Sequence, residues 1–412
     1  MPSVLDKQKD ECCGCGACVA VCPKKVLIIQ PDEYGFIYPV LKLDQCINCG
    51  KCLSVCALEN EHTGCIPQKA VGAIYKDIVK VKRSASGGVF QAIADQFLEV
   101  GGVVVGAAWH FSEDSWIVKH KIAHNTDELQ PMLSSKYVQS DTEEIFELTQ
   151  DYLNRGYKVL FSGTPCQVAQ IKAFVRNNSA LLYTIDVICH GIPSEQMWID
   201  YTKLVERKEK SKIRAVSFRE KDKGWGHSLS FLFEQVNGKT KKVYYPCILS
   251  SYDGMFLAGD NYRESCYNCR YASLHRVSDL TISDFWGVDQ LPVNMLDRVT
   301  SMIDINKGVS CILINTDNGN TLLKVCQDKL LTFETSVDYV KAYNGQLSGA
   351  VKSTARHTRY MDIYKNKGYE VLHDVYLSEL GIRKIYIYIN EKIPRSLKIK
   401  IKQCLIRLKG RF

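Results

Sequence analysis

The sequence predicts an α+β and α/β chain: a small cysteine-rich module, a mostly parallel α/β domain with an antiparallel insert, and a helical C-terminal region. Three observations carry this. Two cysteine runs of identical spacing lie within the first 56 residues. Between about residues 68 and 330, apolar strand-like segments alternate with amphipathic helical ones, as βαβ units around a parallel sheet do. Within that region "HSLSFLFEQVNGKTKKVYYP" alternates around Asn237-Gly238, which reads as an antiparallel hairpin.

At 412 residues and 46% hydrophobic content, the chain can bury several cores. The N-terminal "MPSVLDKQKDECC" has no apolar signal core, and no run of about 18 apolar residues is present, so a cytoplasmic location is expected. Thiols are kept reduced there. Eighteen cysteines therefore point to metal or redox use rather than to disulfides.

"CCGCGACVAVCP" supplies Cys12, Cys15, Cys18 and Cys22, followed by Pro23, and "CINCGKCLSVC" supplies Cys46, Cys49, Cys52 and Cys56. The C-x2-C-x2-C-x3-C spacing lets three thiolates wrap one face of a 4Fe-4S cubane while the fourth reaches across to a second cluster. On that pattern Cys12, Cys15, Cys18 and Cys56 hold one cluster. Cys46, Cys49, Cys52 and Cys22 hold the other. Zinc is the competing reading, but two four-cysteine runs without histidine suit it poorly. Cys13 is left as a spare. "VLIIQ" and "FIYPVL" flank "PDEYG" as two short strands around a turn, so residues 1–60 read as a ferredoxin-like module, with a polar linker over about 58–68.

Beyond the linker, "SASGGVFQAIADQFLEVGG" is a helix opening at Ser86-Gly87-Gly88, with Val89, Ile93, Phe97 and Val100 on one face, and "VVVGAAW" follows as a strand. "SDTEEIFELTQDYLNRG" reads as a helix with a capping box from Ser140 to Glu143, ending at Gly156. After the strand "YKVLFSG", "TPCQVAQIKAFV" places Thr164 as N-cap, Pro165 at the first helical position and Gln167 in a capping box. Cys166 then sits in a first helical turn, where free N–H groups are expected to lower a thiol pKa.

The next strand, "LLYTIDVIC", ends at Cys189, and a helix starts near Ser194. If the two strands are parallel neighbours, Cys166 and Cys189 share the carboxyl edge of the sheet, where open α/β sheets bind ligands. "ESCYNCRYA" adds Cys266 and Cys269 as a C-x2-C pair, completing four thiolates for a third cluster. Two other readings stay open: Cys189 with His190 as a nucleophilic pair, and Cys166 with Cys189 as buried core thiols. Cys311 reads as core.

"SASGGVF", "SSKYVQS", "LFSGTPCQVA", "DVICHGIPS", "CYNCRYA" and "DLTISDFWG" occur in this order. Over about residues 68–330 the chain resembles the beta subunit of coenzyme F-420 hydrogenase/dehydrogenase, a family that also includes the plant hydroxymethyl-chlorophyll reductase. The resemblance implies an FAD in the α/β domain, an adjacent 4Fe-4S cluster on Cys166, Cys189, Cys266 and Cys269, and hydride exchange with a deazaflavin or another organic substrate. It places the flavin near Ser86, Gly87, Gly88, Ser135, Lys136 and Tyr137. Small residues at a helix start suit a phosphate, since they allow close backbone approach. Ser283 and Gln170 depart from the pattern, where glycines are expected. Asp284 and Trp286 end a strand, either at the cofactor or packed on the sheet.

The last twenty residues, "IPRSLKIKIKQCLIRLKGRF", carry seven Lys/Arg and no acid against a net charge of +8 for the chain. The rest is nearly neutral, which argues against nucleic-acid binding. Leu397, Ile401, Leu405 and Leu408 share a helical face, so peripheral membrane contact is one reading of residues 331–412, and a solvated or partner-binding tail is the other. The expected function is an iron–sulfur flavoprotein oxidoreductase, exchanging electrons with a protein such as ferredoxin. Its rival is an electron-transfer subunit with no substrate chemistry of its own.

Overall fold

The computed structural model describes residues 3–42, 45–59, 64–222, 224–235 and 238–385, and the backbone alone at 177–179. Asn237 and the basic tail lie outside the described residues. In the N-terminal module, β1 (Leu27–Pro31) and β2 (Ile37–Leu41) pair antiparallel, with Leu27 opposite Leu41 and Pro31 opposite Ile37. The turn is set by Asp32, whose Oδ1 accepts from the amides of Tyr34 and Phe36, both at 2.9 Å. Each cysteine run forms one short helix, Ala17–Ala20 and Lys51–Ser54, entered through a left-handed glycine, Gly16 or Gly50.

The body is built on one large sheet. Its strands are β3 (Lys69–Tyr75), β4 (Val103–Ser112), β5 (Ser115–Ala123), β6 (Ser140–Asp141), β7 (Val159–Gly163), β8 (Leu182–Val187), β12 (Leu280–Asp284), β13 (Ser310–Ile314) and β14 (Leu330–Thr335), in the order β14-β3-β13-β12-β8-β7-β4-β5-β6. The central run β12, β8, β7 and β4 is parallel, as expected. The sheet as a whole is mixed rather than mostly parallel: β12 meets β13, β13 meets β3, and β3 meets β14 antiparallel, and β5 folds back on β4. Apolar clusters cover both faces, one on Ile93, Leu160 and Ile312, the other on Val105, Phe161 and Val168.

The insert is a second sheet of β9 (Ile213–Ser217), β10 (Leu229–Glu234) and β11 (Thr240–Tyr245), with β10 and β11 forming the expected hairpin. The segment Ala355–Glu379 is helical, interrupted at Gly368 (φ +79), and contributes Tyr360, Tyr364, Tyr369 and Tyr376 to an aromatic core with Trp198, Tyr201 and Tyr252. Burial of these rings ties the C-terminal region to the insert.

Two local expectations need correction. Ser140 does not cap a helix: it pairs in β6, and the helix begins later, at Ile145 after Glu144. Strand pairing with β5 takes the residues that the capping pattern claimed. Val100 is also not part of the buried face, being 62% exposed at the end of the Val89–Glu99 helix. Among the described residues no helix is long and apolar enough to cross a membrane.

Candidate functional site

The β1–β2 hairpin brings the two cysteine runs together crosswise. Burial pushes the Cys18 thiol up, and the neighbouring Cys12, Cys56 and Cys52 sulfurs push it further. Burial likewise raises Cys56, with Cys12 beside it. Cys22, Cys46, Cys49 and Cys52 line one cleft together with Val4, Val26 and Leu27. Cys15 is buried against Cys13 and Cys18. Cys56 of the second run thus lies beside Cys12 and Cys18, and Cys22 of the first run lines the same cleft as Cys46, Cys49 and Cys52.

The third set comes from three separated elements. β7 and β8 are parallel neighbours, with Gly163 opposite Asp186, so the segments leaving them lie side by side at one edge. Thr164 and Gln167 form the expected capping box and Pro165 occupies the first turn of the Pro165–Val175 helix. Cys189 lies two residues past β8, Cys266 sits in the short Glu264–Tyr267 helix that follows the Ser251–Ala258 helix, and Cys269 lies two residues beyond it. Burial drives the Cys189 thiol well up, reinforced by Cys266, Cys166 and Cys269. Burial also pushes Cys266 up to about 12, with Cys269 and Cys166 as its neighbours. Four thiols that oppose one another's ionisation in a dry site suit a metal centre, since binding is coupled to their deprotonation. Among the described residues no three His, Cys, Asp or Glu side chains converge on the single point that one ion requires.

The lowered pKa expected for Cys166 is corrected. Its contact with Cys13 raises it first, burial adds to this, and Thr164 and the Gln167 amide only partly offset them. Cys13 itself is not a peripheral spare: it touches both Cys15 and Cys166, so it bridges the first N-terminal group and the third. The Gln170 side-chain amide donates to the Val55 carbonyl at 3.2 Å and accepts from the Ala57 amide at 3.3 Å, which ties the helix to the end of the second cysteine run and gives its place a packing reason.

A cavity of about 330 Å³ opens at this edge. Cys166, Cys189 and Cys266 form one part of its wall, and Ser86, Gly88, Ser135, Lys136 and Tyr137 another. Gly87 lies behind the wall. Its amide donates to Ser310 Oγ at 2.9 Å, and a Cβ there would stand 2.4 Å from the Ala73 carbonyl, so Gly87 serves strand packing. Ser86 Oγ is likewise used internally, donating to the Val309 carbonyl at 2.7 Å. Val89, Phe90 and Gln91 do line the cavity, and their first-turn amides have no backbone carbonyl partner among the described residues. This leaves the anion-binding end of an eleven-residue helix facing the space.

Lys136 is half-buried and bonded to its own loop rather than free in solvent. Its Nζ donates to the carbonyls of Met132, Leu133 and Ser134 at 3.0, 3.1 and 3.2 Å, using all three N–H bonds on its own loop. Burial lowers its pKa to about 7. It can present a positive charge to the cavity, but its hydrogen bonds hold the loop. Tyr137 is stacked between Phe256 and His227, with ring centroids 4.4 and 5.5 Å away.

The sequence offers Asp284 and Trp286 for the rest of the wall but gives no sign of Arg219 and Trp225, which hold them there. Arg219 forms a buried bidentate pair with Asp284, at 2.6 and 2.7 Å, and Trp225 Nε1 donates to the same carboxylate at 2.8 Å. Burial disfavours the Arg219 charge, but the Tyr137 and Asp284 oxygens more than offset this and its pKa stays raised. Trp286 stacks on Trp225 at 5.2 Å and faces His227, so Asp284 and Trp286 both lie in the cavity wall. His190 Nδ1 meets Gln346 Nε2 at 3.1 Å. That contact engages Nδ1, and no hydrogen bond joins His190 to Cys189 among the described residues.

The donor sets fit the groups implied. Four cysteines in each of three places suit 4Fe-4S clusters, and a partly apolar cavity with a helix N-terminus and a buried cation suits a phosphate-bearing aromatic cofactor. Comparison with known proteins bears on the same regions. Residues 156–338 match the family model for the C terminus of the coenzyme F-420 hydrogenase/dehydrogenase beta subunit, and residues 11–60 match that of the 4Fe-4S dicluster domain. No curated protein matches the chain. Among solved structures, the chain is similar to one in the xenon-derivatized F-420-reducing NiFe hydrogenase complex from Methanosarcina barkeri, with 16% identity and a TM-score of 0.44 over 74% of this chain and 94% of that one. Residues 11–60 thus match a 4Fe-4S dicluster domain and residues 156–338 the C terminus of the coenzyme F-420 hydrogenase/dehydrogenase beta subunit, and the two matches together support an electron-transfer oxidoreductase.

Proposed function

We propose that the chain is an iron–sulfur flavoprotein that passes electrons between three 4Fe-4S clusters and an FAD, with hydride or two-electron transfer to a deazaflavin or another organic substrate. The division proposed with it is a ferredoxin module at 1–60, a flavin and third-cluster domain at 68–330, and a C-terminal extension at 331–412. One observation carries the reading: a single cavity is lined by Cys166, Cys189 and Cys266 and also by the Val89 helix start and Lys136, with Cys13 and Cys15 at the same wall. A bound flavin supplies the conversion between one-electron and two-electron chemistry. The chain's own residues bind and orient: the first-turn amides and Lys136 favour the phosphates, Tyr137 and Trp286, held in their own ring stacks, form an aromatic wall, and the Arg219–Asp284 pair fixes that wall.

Anaerobic purification followed by iron, acid-labile sulfide and flavin quantification tests this. About twelve iron and one FAD per chain are expected, four iron to each cluster. About eight iron without flavin would instead favour the electron-transfer subunit.

Lys136 makes FAD binding pH-dependent. Below about 7 its ammonium is charged and attracts the phosphates, and above that it is neutral. The affinity of the flavin-free chain is therefore expected to fall as pH rises through about 7, by roughly tenfold for each 1.4 kcal/mol lost. Lys136→Met should flatten the profile and bind more weakly at low pH. An unchanged profile in that variant, read by fluorescence titration, would remove Lys136 from the site.

A further inference from the structure

We propose that electrons enter and leave the chain through the Cys22, Cys46, Cys49 and Cys52 site, and that the face around it docks a small acidic electron-carrier protein. This rests on reading those cysteines as ligands of a 4Fe-4S cluster.

Exposure singles out one site. Cys46 and Cys49 are exposed, whereas Cys18 is buried and the other cysteines of the three sites, Cys22 and Cys52 included, are partly buried. The groups also touch in sequence. Cys52 neighbours Cys18 in the module, and Cys13 reaches from Cys15 to Cys166 at the cavity. A path from solvent to the cavity therefore begins at Cys46 and Cys49 and ends at the third group.

The surface at that end has the chemistry of a transient docking face. Ile47, between the two exposed cysteines, is 56% exposed. Lys24 and Lys51 line the same cleft as the cysteines, and the Lys42 amide bonds the Val26 carbonyl at 2.8 Å, which sets it beside Lys24. All three lysines are exposed and form no ion pair among the described residues. The module's described acids are committed elsewhere: Asp32 and Glu33 hold Lys9, Glu59 holds Lys7, Asp6 and Glu11 accept the amides of Ser3 and Gln8, and Asp10 accepts from Asn268. Lys25 is already paired with Glu147. An apolar tip ringed by uncommitted cations at an exposed redox site suits a partner with negative charge around its own centre. Weak electron-transfer encounters need only a small interface, under about 1,200 Å².

The test is anaerobic stopped-flow reduction of the full cluster-loaded chain by a reduced acidic ferredoxin, with dithionite as a small-molecule control. The wild-type second-order rate is expected to fall steeply between about 0.01 and 1 M salt, as screening shortens the reach of the lysines from about 30 to about 3 Å. Lys24→Glu with Lys51→Glu is expected to slow ferredoxin reduction by at least tenfold at low salt, the range that electrostatic steering supplies. Dithionite, a small anion, should be slowed far less than the ferredoxin. Lys42→Glu, not adjacent in sequence to any cluster cysteine, should slow it in the same direction. Equal rates for variants and wild type at low salt, or a wild-type rate insensitive to salt, would overturn the docking face. Failure of dithionite to bleach the wild-type chain, with iron absent, would instead overturn the cluster reading beneath it.

Discussion

Cys189→Ala is expected to lower the iron content from about twelve to about eight per chain while leaving the two N-terminal clusters intact. The reason is geometric. Cys189 and Cys166 lie at the ends of neighbouring parallel strands, while Cys12 through Cys56 sit in a module with its own hairpin and its own small core. Loss of one thiolate leaves Cys166, Cys266 and Cys269 as buried thiols that burial and mutual repulsion keep protonated, so the site cannot recover by ionising the rest. Any flavin in the cavity would then stay oxidised when the N-terminal clusters are reduced. Cys311→Ala is the control. Cys311 is fully buried in β13, beside Ser283 at 3.2 Å, and its loss should cost about 1 kcal/mol of stability and no iron. If Cys189→Ala behaves like Cys311→Ala, keeping all its iron, Cys189 is a core thiol and the third cluster is lost as an idea.

Much of this site was legible because its signals are local. The two cysteine runs carry their own spacing, and the Thr164-Pro165-Cys166-Gln167 start carries its own capping chemistry, so both appear in the structure as read. Alternation pointed to a parallel sheet, and the structure supplies the parallel neighbours β7 and β8 that the shared edge of Cys166 and Cys189 requires. What stayed hidden depends on contacts across long stretches of chain. The Arg219–Asp284 pair spans 65 residues, and no periodicity marks either partner. Cys13 looked surplus because its role comes from Cys166, which only the folded chain brings to it. The antiparallel edge of β13, β3 and β14 was missed for a related reason. β3 precedes every helix of the α/β order, yet it inserts between two strands from the far end of the domain, and continuous apolar strands read alike in parallel and antiparallel sheets.

Arg263 is the largest of these hidden contacts, and Arg263→Met tests what it does. Its guanidinium is 1% exposed and joins the module to the body: Nη1 donates to the Cys12 carbonyl at 3.2 Å, and Nη2 to the Ile37 carbonyl and to Gln139 Oε1, both at 2.9 Å. The Tyr38 ring, with its centroid at 4.6 Å, covers one face. Gly14 makes the approach possible, since a Cβ there would stand 2.5 Å from Nη2. Methionine keeps the stem but leaves three buried acceptors unpaired, which should lower stability by about 3 kcal/mol or more, read as a fall in melting temperature. The charge matters separately. Arg263 lies between Cys12 of the first group and Cys266 of the third, and a buried cation there would favour the more negative, reduced form of the clusters proposed on both. Its removal should shift both reduction potentials downward in an EPR-monitored titration, while the exposed Cys46 and Cys49 cluster moves less. Gly14→Ala should reproduce the loss of stability by pushing the guanidinium aside, and the double variant should be less destabilised than the sum of the two, because both changes break one contact. Full additivity, or unchanged potentials in Arg263→Met, would mean that the arginine is only filling space between the module and the body.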